Sequence, residues 1–132
     1  MEPLLSSLTT NGIKISVQTL FIADQSSVEK EVYVFAYKIE IQNLSSRTVQ
    51  LVKRKWLIVN SYGEHSVIVG DGVVGQQPIL APGQAHRYMS GCVFKTPIGK
   101  MEGTYTMVDI DSQEKFQAVI PNFILEANVV KN

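Results

Sequence analysis

The sequence is short of several things, and each shortage closes off a class of function. Cys92 is the single cysteine, so no internal disulfide forms and no cysteine cluster suggests structural zinc. No apolar run approaches the roughly 18 residues of a membrane helix, and "MEPLLSSLTTNG" lacks the basic start and long apolar stretch of a signal peptide. The expectation is a cytoplasmic chain with no membrane insertion. Neither sign of charge is in excess: 12 basic residues face 12 acidic ones, so no bulk attraction to nucleic acid follows. The consecutive Lys53, Arg54 and Lys55 form the one local basic run, and a strand would split them between its two faces. Amphipathic helical periodicity is also missing.

Alternation with period two is present instead. In "GIKISVQTLFI", Ile13, Ile15, Val17 and Phe21 share a face opposite Lys14, Ser16 and Gln18. In "VYVFAYKIEIQN", Tyr33, Phe35, Tyr37, Ile39 and Ile41 do the same. β-Branched and aromatic residues suit such a pleated, half-buried surface. "TVQLVKRKWLIVN" slips phase, with Val49 and Leu51 on one face and Val52, Trp56 and Ile58 on the other, which predicts either a bulge near Lys53 to Lys55 or burial on both faces at the far end. "HSVIVG", "HRYMSGCVF", "GTYTMVDI" and "KFQAVIPNFIL" add further strands, with "SYGE", "KTPIGKMEG" and "DSQE" as turns. About seven to eight strands without a helix predict an all-β antiparallel sandwich. Residues 1–10 are read as a tail and 11–132 as a single domain.

"VGDGVVGQQPILAPG" carries Gly70, Gly72 and Gly75 at the G-x-G-x-x-G spacing of a dinucleotide turn. That motif works when the third glycine opens a helix whose N–H groups and dipole meet the pyrophosphate. Pro78 and Pro82 forbid a continued helix here, so the coenzyme reading fails on context. Two readings remain: a loop that needs glycine to bend, with Val73 and Val74 as a plug, or a helix-free anion nest at Gly70, Gly72 and Gly75. The nest leads to the alternative function, a phosphate or nucleotide sensor with Lys53 or Arg54 supplying charge.

The segments "RKWLIVNSYGEHSVIVGDGVVGQQPILAPG", "YMSGCVFKTPIGKMEGTYTM" and "FQAVIPNFIL" resemble the ApaG family, over nearly the whole chain from about residue 10. The resemblance implies an immunoglobulin-like, fibronectin type III-like sandwich. It also implies a cytoplasmic single-domain protein associated with cobalt and magnesium efflux or resistance. The same domain recurs in larger eukaryotic proteins, including F-box proteins, where protein binding is its natural role. Lys55 stands where the family often has His, and Asp71 where Glu is common. The family carries no catalytic residue to transfer.

Residue chemistry agrees that no enzyme is expected. Cys92 and His86 are six residues apart on one strand, about 20 Å, too far for a nucleophile and its base. Two histidines and one cysteine do not supply a zinc or cobalt site, and no cofactor is expected. Asp109 and Asp111 in "DIDSQE" are weak divalent-ion candidates, against the plainer role of a polar turn. A non-enzymatic binding module for a protein partner is the reading reached. Its candidate contacts are Arg54, Trp56, Asp71, Gln76 and Lys100, on an end where the glycine loop and "KTPIGKMEG" lie together. Tyr62, His65, Tyr88 and Met89 are further aromatic and apolar candidates, and a homodimer through an edge strand is a second possibility.

Overall fold

The computed structural model describes residues 4–128. Among these residues nine antiparallel strands form two packed sheets: β1 (Leu4–Thr10), β2 (Ile13–Phe21), β3 (Tyr33–Asn43), β4 (Val49–Asn60), β5 (His65–Asp71), β6 (Ile79–Leu80), β7 (Ala85–Phe94), β8 (Ile98–Asp109) and β9 (Lys115–Glu126). One sheet runs β1-β2-β3-β7 and the other β5-β4-β8-β9, with the short β6 continuing the β5 side of β4. The chain therefore leaves the first sheet after β3, returns for β7, and leaves again.

The alternation read from sequence sets the core. Ile13, Ile15 and Val17 of β2 and Tyr33, Phe35, Tyr37, Ile39 and Ile41 of β3 are all buried, and Phe21 packs half-buried against them. From the other sheet come Leu51, Trp56, Met101, Tyr105, Met107, Ile120 and Phe123. The Trp56 indole is the hub, edge-on to Tyr37, Tyr105 and Phe123 at centroid distances of 5.7, 6.5 and 5.8 Å. A side chain at Gly103 would meet the Lys55 carbonyl and the indole, so this glycine makes room for the tryptophan.

The expected bulge exists, one residue earlier than the basic run. The β4–β8 register shifts between Leu51 and Lys53, which leaves Val52 as the extra residue. The shift restores phase, so Val49, Leu51 and Trp56 all point inward, with Arg54 in phase with Trp56.

Two sequence expectations need correction. Residues 4–10 are not a tail: they pair with β2 from Leu4↔Thr19 to Thr10↔Ile13. The β1–β2 hairpin also closes one flank of the sandwich, where Asn11 Nδ2 donates to the Gln117 carbonyl at 2.8 Å and Val119 N–H donates to Thr10 Oγ1 at 2.8 Å. "KTPIGKMEG" is only partly a turn, since β8 has begun by Ile98.

Candidate functional site: the glycine loop and the open edge

Closing one flank leaves the other open. β5 is the last strand of its sheet and β7 the last of its own, both on the flank away from the β1–β9 contact. Every residue of β5 except Gly70 is exposed. Its outward face carries Val67 and Val69, 56% and 65% exposed, and its inward face Ser66, Ile68 and Gly70, opposite Ile58, Trp56 and Arg54 of β4. A cleft of about 260 Å³ lies between the start of β5 and the end of β7, lined by Ile58, Ser66, Val93 and Lys95 among others.

The glycine loop follows β5 directly, and its three glycines serve three separate needs. Gly70 lies in the strand. A Cβ there would stand 2.8 Å from the Arg54 guanidinium, which lies across the vacant position. Gly72 has φ +62° and is buried, and a Cβ would collide with the Gln76 carbonyl oxygen. Gly75 has φ +75° in open space at the loop tip, where only the left-handed backbone demands glycine. No helix follows. Gly72 N–H donates to the Val52 carbonyl, while Val73 and Gln76 exchange N–H···O bonds of 2.8 and 3.0 Å. The Gly72, Val73 and Gln76 amides, among those an anion nest would draw on, are thus engaged within the protein. Of the expected plug, Val73 is buried in the core and Val74 points outward, 64% exposed.

Arg54 reaches this loop from β4. Its Nη1 donates to the carbonyls of Asp71 at 3.0 Å and Gly72 at 2.9 Å. Among the described residues the ion pairs are Arg47–Asp109 and Arg87–Glu40, so Arg54 has no carboxylate partner. Beyond it the Tyr88 and Tyr105 hydroxyls hydrogen-bond to each other. Burial pushes both phenols well above their ordinary range, and the Arg54 charge works against that rise. Lys53 and Lys55 are exposed on the opposite face, so the basic run is split as its alternation requires.

The other candidates scatter. Trp56 is 3% exposed and is core rather than a contact. Lys100 pairs with Val59 and Asp71 with Lys53, which puts them on the two sides of β4 and six residues apart along it, about 20 Å. The glycine loop and "KTPIGKMEG" therefore do not form one surface. Asp71 and Gln76 are exposed at the loop. Tyr62, His65 and Met89 are exposed too, whereas Tyr88 is packed against the core. Asp109 is buried: its Oδ1 accepts from Asp111 N–H at 2.9 Å and Ser112 N–H at 3.3 Å, and its Oδ2 faces Arg47 at 3.3 Å. Oδ1 thus shapes the β8–β9 turn and Oδ2 ties it to Arg47 in the β3–β4 connection, with Asp111 exposed beside them. Among the described residues no three His, Cys, Asp or Glu gather as metal ligands would. Cys92 shares β7 with His86, half-buried, and burial pushes its thiol up to about 12.

Two packed antiparallel sheets with a loop shaped by its glycines and one open flank define an immunoglobulin-like, fibronectin type III-like β-sandwich domain. A family model described as the ApaG domain matches residues 23–109. Protein ApaG of Proteus mirabilis is 45% identical over 117 residues, covering 89% of this chain and 93% of that relative. Protein ApaG of Vibrio cholerae is 47% identical over 120 residues, covering 91% and 94%. A crystal structure of a Bordetella pertussis protein assigned the name ApaA superposes with a TM-score of 0.84 at 37% identity, covering 97% of this chain and 100% of that one. The chain belongs to the ApaG family.

Proposed function

We propose that this chain is a non-enzymatic, cytoplasmic module that binds a protein partner by adding an extended segment of that partner to β5. The observation that carries this reading is the β5 edge. It is a seven-residue strand with neighbours on one side only, and it bears exposed Val67, Ile68 and Val69. Unpaired N–H and C=O groups along such an edge form a template for another strand, and alternate side chains give it selectivity. Family membership supports the reading, and the cobalt and magnesium association that the resemblance implies would run through the partner.

A photo-crosslinking amino acid placed in turn at Val69, at the loop tip Val74 and at Leu5 on the outer face of the first sheet tests this in cells. One discrete adduct is expected from Val69, lost when Val67→Pro removes an edge N–H. Adducts from Val74 or Leu5 with none from Val69 would overturn the reading.

A further inference from the structure

The chemistry of the Arg54 guanidinium narrows what the added segment carries. Nη1 is anchored to the Asp71 and Gly72 carbonyls, which fixes the plane of the group. Nε and Nη2 donate to no acceptor among the described residues. No partnerless side-chain nitrogen among them is buried away from water, so these donors reach solvent. That Nε/Nη2 side is the fork that receives a carboxylate in two parallel hydrogen bonds. Its position is equally telling. The guanidinium lies over Gly70 on the inward side of β5, reaching from β4 across the edge strand. The inward side chains of a strand laid against β5 would stand beside Ile68 and, two residues on, beside this free fork.

We infer that the segment β5 accepts is acidic at one inward position: a partner peptide whose Asp or Glu pairs with Arg54, two residues from an apolar side chain seated by Ile68. This rests on the edge-addition reading above and specifies its ligand. Gly70 is then required twice, to let the guanidinium cross the strand and to leave the carboxylate a path to it. A half-buried cation held in place with its fork unfilled loses little freedom on binding, which is what preorganisation contributes to affinity.

The test uses the full chain, labelled with nitrogen-15, and the blocked peptide Lys-Thr-Val-Thr-Glu-Thr-Val-Lys, with a second peptide carrying Gln in place of the central Glu. Valines flank the central position on both sides, so either strand direction presents the same pattern. The Glu peptide is expected to shift the amides of His65–Asp71 and the Arg54 Nε–H. It should bind about tenfold more tightly than the Gln peptide, the scale of one charge-assisted pair. Arg54→Gln should abolish that preference. Because this variant also frees the loop carbonyls, the two-peptide comparison on the unaltered chain carries the test. Equal binding of the two peptides along β5 would overturn the acidic specificity and leave edge addition standing. Silence of β5 toward both at millimolar concentration would remove both ideas. Inorganic pyrophosphate moving the Arg54 Nε–H as strongly as the Glu peptide, with Val67 and Val69 unmoved, would assign the fork to a small oxyanion and overturn the peptide.

Discussion

Gly72 and Gly75 look alike in sequence and differ in what their missing side chains permit. Gly72 combines φ +62° with a carbonyl oxygen where its Cβ would be, while Gly75 has φ +75° and empty space. Gly75→Ala should therefore cost only the left-handed backbone penalty, about 1–2 kcal/mol, and Gly75→Asn less. Gly72→Ala should cost clearly more, because the loop must open as well. Urea denaturation of the three variants checks the order; equal losses at both glycines would contradict it. Asp109 gives a pH-dependent counterpart. Burial raises its pKa, but the Ser112 and Asp111 amides and Arg47 outweigh that and hold it below its ordinary 3.8. A carboxylate with a depressed folded pKa stabilises above its unfolded value, and the contribution fades as pH falls through the folded one. Asp109→Asn should thus lower the denaturation midpoint at pH 7, with a gap to the parent chain that narrows below about pH 4. A gap unchanged down to pH 2.5 would show that the charge is not what matters.

At the scale of strands, β1 decides which flank is open. Its seven residues pair with β2, and the hairpin's Thr10 and Asn11 bond to β9. Deleting residues 1–10 should cost at least about 1 kcal/mol and expose the β2 edge, so the shortened chain should self-associate in sedimentation measurements. A shortened chain as stable and as monomeric as the parent would contradict the structural role of β1. This strand was legible in a way the hydrophobic alternation did not show. Leu5 and Leu8 are three apart, both exposed on an edge, and give no period-two signal. The sign was Asn11-Gly12, with φ values of +51° and +79°, the dipeptide of a tight hairpin turn. The strands of the core were read correctly because a buried face forces strict alternation on residues such as Ile13 to Val17 and Tyr33 to Ile41. Lys100 reads as a turn residue because Gly99 and Lys100 near the start of β8 resemble a turn until the pairing to β4 is known.

For the molecule as a whole, the G-x-G-x-x-G spelling serves close packing at Gly70 and Gly72 and a left-handed turn at Gly75, with the open edge alongside it as the surface free to work. The sequence alone excludes the coenzyme site, because Pro78 and Pro82 rule out the helix it needs. What it could not supply was the separate reason for each glycine, since these depend on Arg54 crossing β5 and on Gln76 folding back over Gly72. The inward Arg54 was within reach: it lies in phase with Trp56 and Ile58, and a charged residue on a core-facing register is a departure worth pursuing. Which flank lies open was beyond the sequence, because it follows from the order of strands in two sheets rather than from any one strand.

The most direct measurement is amide hydrogen exchange on the free chain and on the chain bound to the protein captured through Val69. Slowed exchange is expected to concentrate in His65–Asp71, where new backbone hydrogen bonds form, with the Val73–Gln77 loop little changed. Protection confined to that loop, or to the outer face of β2 and β3, with β5 exchanging as before, would contradict it.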